Sequence, residues 1–379
     1  MNDDGTDAEV VIVGAGLAGA ATAWRLAQRG VDVLMLERTR PANAEGSSHG
    51  SARIFRLAYD TELYTRMAVA AGDGWAELED THGEPLITWT GALGFGDRRE
   101  APKVASWLQC AGQPHELLSE AEAARRWPGI EFRGPVLWHP GAGVLDAERA
   151  VEAMLRASQA AGARLLTDWP VERIERTPHG FLVRSSAGDA VRARRVVVAA
   201  GAWLPMLLPG LPLPVSLLPA FEVRQENAFH FPYRDNRNSP EDASWPTLIN
   251  MSREIVLYGL PGGRDAQHRG QKIAEFNGGR RLSSASRRDG VVDPANRARV
   301  VDFVRRRIPG LIPEPYAETT CLFTNTPSED FVIDAWEGLT VVSACSGHGA
   351  KFMPEIGRIA ADLTTGAGKA PPQFQVFLA

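Results

Sequence analysis

The sequence predicts an α/β protein in which a Rossmann-like dinucleotide-binding domain is interleaved with a second domain on a mixed β-sheet. Three observations carry this. The apolar run Glu9 to Val13 leads into Gly14-Ala15-Gly16-Leu17-Ala18-Gly19, a helical stretch, and a second apolar run closing on Glu37. Much later, Arg195 to Ala199 reads as a strand ending in the small residues Ala200-Gly201-Ala202 before Trp203. The segments Thr88 to Phe95 and Phe221 to Phe276 are strand-like and aromatic-rich, outside any βαβ pattern. With 379 residues, two domains are the natural expectation.

In chain order, the first unit is strand, glycine turn, helix (Ala20 to Gln28), strand (Val31 to Leu36) and acid. Gly14, Gly16 and Gly19 permit a tight turn, close approach of backbone to a pyrophosphate, and helix–strand packing. The helix N-terminus favours phosphate. Glu37 stands where a carboxylate can accept hydrogen bonds from a ribose. This fingerprint serves FAD and NAD alike. Asp146 to Gly162 reads as a helix, Arg164 to Thr167 and Phe181 to Ser185 as strands, and the proline-rich stretch Leu208 to Pro219 as a crossing between domains. The stretch Phe231 to Ser244, rich in Pro, Asn and charge, reads as a solvated excursion.

Composition narrows the function. A net charge of −5 argues against nucleic acid, which needs a basic face. No apolar run approaches the roughly 20 residues that cross a bilayer. An acidic N-terminus without a secretory pattern, and three cysteines without a disulfide framework, lead to the expectation of a reduced, cytoplasmic protein. The eight histidines show no metal-ligand spacing. The basic residues number 41, yet only Lys103, Lys272, Lys351 and Lys369 are lysines, which makes those positions worth inspecting.

Three more segments complete the pattern: Ser47-Ser48-His49-Gly50-Ser51-Ala52-Arg53-Ile54-Phe55-Arg56, Thr320-Cys321-Leu322-Phe323-Thr324-Asn325-Thr326-Pro327, and Ser346-Gly347-His348-Gly349-Ala350-Lys351-Phe352, the last opening a helix near Glu355. With the glycine fingerprint, these resemble the monomeric sarcosine oxidase and N-methyltryptophan oxidase family, within the D-amino-acid-oxidase-like flavoproteins. The resemblance implies an FAD domain over residues 1–84, 146–215 and 320–379, and a substrate domain over 85–145 and 216–319. It implies FAD tethered through Cys321, with Ser48, Gly347, His348 and Gly349 also at the cofactor. His49 and Arg53 would flank the flavin ring, where positive charge favours its reduced form. Arg56 and Lys351 would grip a substrate carboxylate, Lys272 would activate oxygen, and Tyr258 would line the pocket. The match at Lys272 needs a three-residue insertion after Tyr258. The implied reaction removes hydride from the carbon beside a neutral secondary amine and yields imine and hydrogen peroxide. Small amine and O2 would be the only partners of a monomer, without nucleic acid, membrane or metal.

Two departures bear on substrate. Phe276 stands where the family has a histidine, and Phe323 where it has a tyrosine. Both delete hydrogen-bonding groups and favour a larger apolar or cyclic substrate, since a buried aromatic contact is worth about 1–3 kcal/mol. Oxidases of cyclic imino acids in antibiotic pathways resemble Lys351-Phe352-Met353-Pro354 running into Gly357-Arg358-Ile359, and supply the alternative substrate class. A flavin monooxygenase would need NAD(P)H, for which no second fingerprint exists. A non-catalytic flavoprotein would have no use for Lys272, Arg56 and Lys351.

Overall fold

The computed structural model describes residues 5–234 and 245–377. Of the excursion expected over 231–244, residues 235–244 lie outside the described residues.

Strand Ala8–Val13 is flanked in parallel by Ala190–Val198 on one side and Val33–Leu36 on the other. Leu339–Ser343 and Arg164–Leu166 extend the parallel array outwards. Strands covered on both faces read as continuous apolar runs, as Ala8–Val13 and Val33–Leu36 do. Ala190–Val198 begins earlier than its apolar end suggests. Its first half alternates polar and apolar residues and pairs antiparallel with Gly180–Ser185, where one face meets solvent. The helix Leu17–Ala27 begins at the glycine turn itself, because Leu17 N–H is capped from outside by Ser48 Oγ at 3.0 Å. It packs beneath the sheet against Ala147–Ala160 and Met353–Thr365. At the second crossing Gly357 is obligatory, since a Cβ there would lie 2.5 Å from Ala21 O.

The second sheet has nine strands, antiparallel except where Thr247–Met251 runs parallel to Ala92–Phe95. Ala317–Asn325 pairs along its full length with Glu222–Phe231. Residues 320–325, grouped with the dinucleotide domain on the sequence, are thus hydrogen-bonded into the second sheet. The stretch Thr88 to Phe95 is two strands and not one. Ile87–Trp89 joins a small sheet with Gly143–Leu145 and Arg53–Phe55, while Ala92–Phe95 enters the large one. The switch falls at Gly91, whose φ of 68° and contact with the Trp138 ring leave no room for a Cβ.

Among the described residues no helix is long and apolar enough to cross a membrane. The glycine turn gives a stability test. A Cβ on Gly19 would lie 1.8 Å from Gly14 O, whereas one on Gly210 meets nothing within 4 Å. Chemical denaturation of Gly19→Ala is expected to show a loss of about 1–3 kcal/mol from forced backbone displacement. Gly210→Ala is expected to stay within about 0.5 kcal/mol of wild type.

Candidate functional site

The two large sheets enclose one cavity of about 830 Å³, running from the glycine turn to Lys351. Every site residue singled out on the sequence lines it except Gly19, which lies beneath the turn.

At the dinucleotide end the chain comes as close to itself as glycine permits. A Cβ on Gly14 would lie 2.6 Å from Ala199 O, and one on Gly16 would lie 2.8 Å from Ser48 Oγ. Gly16, Leu17 and Ala18 present the first helical turn to the cavity. The buried Glu37 carboxylate accepts Ala15 N–H at 2.9 Å and Thr39 N–H at 3.2 Å, fixing it at the turn. Trp203 and Arg38, stacked with the guanidinium 4.4 Å from the ring centroid, close the far wall. Trp203 was within the small-residue segment noted on the sequence; Arg38 had no signal beyond its place after Glu37.

In the middle, the loop 47–53 wraps around Arg53. Its guanidinium donates to the carbonyls of Ser47, His49 and Ala52 at 3.0, 2.7 and 3.0 Å. Lys272 Nζ donates to the same Ala52 carbonyl at 3.2 Å. Burial, then repulsion from Arg53, lowers Lys272 to about 8. Burial lowers His49 to about 4, helped by Arg53 and Lys272, and its Nε2 has no partner among the described residues. Cys321 faces this group from strand Ala317–Asn325. Burial pushes its thiol up, although Arg53 and Lys272 pull the other way. The cations expected to activate the thiol are therefore present, and desolvation outweighs them. Tyr258 is likewise raised by burial.

At the far end Arg56 and Lys351 converge on one ring. The Arg56 guanidinium lies 4.0 Å and Lys351 Nζ 5.6 Å from the Tyr59 centroid. Arg56 donates to Ala58 O, and Lys351 to His348 O at 2.6 Å. The Asp60 carboxylate is taken by Arg99 at 3.0 Å. Among the described residues, the polar partners of Arg56 and Lys351 are carbonyls and not carboxylates. Burial, then Arg56, lowers Lys351 well below the usual lysine range. With Arg56 half-buried and Lys351 buried, the two cations together call for an anion.

Phe276 and Phe323 form an apolar wall, their centroids 6.1 Å apart. Both press on Gly347, where a Cβ would lie 2.6 and 2.4 Å from their rings. At Gly349 it would lie 1.7 Å from Ala344 O, so the 346–349 turn folds only with glycine. His348 stacks on Phe331 at 4.8 Å, and burial lowers it to about 3. Two features had no signal in the sequence. Asp265 lines the cavity near Lys272, and the buried His139, within the influence of Arg56 and Arg99, has both ring nitrogens without partners among the described residues.

The family model described as FAD dependent oxidoreductase matches residues 9–363. Monomeric sarcosine oxidase from Bacillus sp. (strain NS-129) is 30% identical, over 98% of this chain and 96% of that one. N-methyl-L-tryptophan oxidase from Yersinia pestis (strain Pestoides F) is 31% identical, over 94% of each. Among solved structures, the open form of NikD, described as an unusual amino acid oxidase essential for nikkomycin biosynthesis, superposes with a TM-score of 0.83 at 25% identity, covering 97% of both chains. L-proline dehydrogenase from P. horikoshii shares the fold, with a TM-score of 0.81 at 19% identity over 97% of this chain and 96% of that one.

The buried histidines give a pH test. Burial, then Arg56 and Arg99, lowers His139 to about 3, so the folded protein refuses a proton that the unfolded chain accepts below about 6.5. Its contribution is full above that value and is lost as pH falls towards the folded one. Urea unfolding at about pH 7, 6 and 5 should show wild type losing, relative to His139→Asn, about 0.7 kcal/mol over the first step and about 1.2 kcal/mol over the second. A difference independent of pH would mean that the folded ring takes up the proton as readily as the unfolded one.

Proposed function

We propose that this chain, which belongs to the FAD dependent oxidoreductase family, is an oxidase of a secondary amine carrying a carboxylate, acting as a monomer on a small molecule and O2. The observation that carries the reading is the pair of half-buried Arg56 and buried Lys351, held around Tyr59 with no carboxylate partner among the described residues. A substrate carboxylate answers that demand with charge-assisted hydrogen bonds.

The residues fit FAD. Gly14 and Gly16 leave the space that a Cβ would fill, the Leu17–Ala27 helix presents its N-terminus, and Glu37 is fixed beside the turn. Ser48 and the 347–349 turn border the remaining length. When bound, the cofactor supplies the two-electron chemistry, accepting hydride from the carbon beside nitrogen and returning the electrons to oxygen. The protein supplies the rest. Arg56 and Lys351 orient the acid end, and Phe276 and Phe323 exclude water from the other. Arg53, held by three carbonyls, contributes fixed positive charge next to His49, which burial keeps neutral at pH 7. Lys272 is the cation for the charge that develops on oxygen. Tyr258 borders the reacting centre.

The apolar wall favours N-methyl or cyclic amino acids with bulk over the smallest substrates. Oxidation of a cyclic imino acid is the second reading, favoured by the loss of polar groups at Phe276 and Phe323. Cys321 is the attachment point we assign to the cofactor, since it lines the cavity beside Arg53 and Lys272, whose charge opposes the burial that pushes its thiol up.

Anaerobic mixing with secondary and cyclic amino acids should bleach the yellow protein, and air should restore the colour with stoichiometric peroxide. Failure with every such acid would sink the oxidase reading. Arg56→Ala and Lys351→Ala should each weaken acid substrates by about 1.5–3 kcal/mol more than the matching decarboxylated amines. Equal losses would indicate damage to the fold. After acid denaturation the colour should stay on wild type and on Cys345→Ser but leave Cys321→Ser. Because burial holds the thiol up, attachment in reconstituted protein should quicken about tenfold per pH unit from neutral upwards. Colour released from wild type would rule the tether out.

A further inference from the structure

The hairpin loop between strands Val256–Pro261 and Gln271–Glu275 contains the insertion noted on the sequence, and it folds back over the loop 47–53. Gly263 abuts Ser51 so closely that a Cβ would lie 2.5 Å from Ser51 Oγ. Asp265 then brackets Ser51 from both ends. Its Oδ1 accepts Ser51 Oγ–H at 2.6 Å, its Oδ2 accepts Ser51 N–H at 3.2 Å, and its own N–H donates to Ser51 Oγ at 2.8 Å. Next to it, Arg264 pairs with Glu148 at 2.9 Å, whose other oxygen accepts Gly50 N–H at 2.9 Å. Gly50 has φ 81°, and a Cβ there would meet Asp265 Oδ2 at 2.9 Å, so the fit leaves no slack.

The bracket ends one residue before Ala52, whose carbonyl receives both Lys272 Nζ and Arg53. We propose that Asp265 is a positioning residue for Lys272: by clamping Ser51 it fixes the Ala52 carbonyl that aims the ammonium into the cavity, and its carboxylate supplies the counter-charge that keeps the ammonium protonated. The proposal rests on the reading of Lys272 as the oxygen-side cation.

The groups facing Lys272 make Asp265 the decisive one. Arg53, on strand Arg53–Phe55, repels it. His230, its cross-strand partner on Glu222–Phe231, and His49, in the loop, are both held neutral at pH 7 by burial. Cys321, on Ala317–Asn325, is a thiol pushed up by burial, so it carries little charge at that pH. Asp265 is the ionised carboxylate acting on the ammonium, held below the usual range by Ser51 and Lys272 against its own burial. A buried ammonium beside a guanidinium would otherwise release its proton near neutrality.

The chain has only four lysines, so lysine-selective ¹³C labelling of the intact holoenzyme gives four side-chain signals, and Lys272→Met identifies one of them. In wild type that signal should titrate near 8. Asp265→Asn should weaken its proton affinity about tenfold, one pH unit, and Asp265→Glu should restore most of it. Ser51→Ala, which keeps the charge but frees it from the bracket, should move the midpoint the same way by less. The pH profile of reoxidation by air should shift with the titration. A midpoint unmoved in both Asp265→Asn and Ser51→Ala would overturn the proposal, even if both variants had lost thermal stability. Because the titration needs no turnover, a protein that oxidises no amine would sink the functional reading and leave this result to be judged separately.

Discussion

Burying positive charge without a directly paired carboxylate is the constraint around which this molecule is arranged. An ammonium or guanidinium removed from water loses several kcal/mol of solvation unless dipoles or counter-charges replace it. Here Lys272 and Lys351 are both buried, and each sits close to a guanidinium that repels it. The protein offsets the cost chiefly with backbone carbonyls, those of Ser47, His49 and Ala52 around Arg53 and Lys272 and those of Ala58 and His348 around Arg56 and Lys351, and at Lys272 also with the nearby Asp265 carboxylate. Carbonyl dipoles stabilise a cation only in part. They leave it available to a charged ligand, which a carboxylate partner from the chain would not.

The loops that supply those carbonyls are rigid for steric reasons. The 47–53 loop is held by Ser47 Oγ on Leu322 O at 2.5 Å, by Glu148 on Gly50 and by Asp265 on Ser51, so three distant segments fix a single turn. The 346–349 turn is fixed by exclusion of side chains, with Phe276 and Phe323 on Gly347 and the Ala344 carbonyl on Gly349. Preorganisation of this kind is what electrostatic stabilisation of a reaction requires, because the dipoles need not reorient as charge develops.

The two sheets divide the work. Parallel strands bring small residues and a helix terminus to one end of the cavity, where backbone meets a dinucleotide. The antiparallel sheet carries long side chains on alternating positions, so Tyr258, Lys272, Cys321 and Phe323 reach the cavity from three different strands. The histidines around it, desolvated and kept neutral at pH 7, add polarity without charge.

Local stereochemistry made half of this legible in the amino-acid sequence. Gly14, Gly16 and Gly19 announce a tight turn because only glycine tolerates the contacts found there. The apolar run before them announces a covered strand, and the Ser47–Arg56, Thr320–Pro327 and Ser346–Phe352 segments carried the family resemblance in order along the chain. The remainder depended on partners far away in sequence. Whether Ala317–Asn325 belongs to one sheet or the other is decided by Glu222–Phe231, nearly a hundred residues earlier. Thr88 to Phe95 reads as strand-like throughout, and only Trp138 packing on Gly91 shows where the chain changes sheets. The loop between Val256–Pro261 and Gln271–Glu275 reads only as a lengthened connection in sequence; folded, it delivers Asp265 to Ser51, 214 residues away. Charge state was least legible of all, because the desolvation that lowers Lys272, His49 and His139 and raises Cys321 comes from segments whose convergence only the tertiary structure decides.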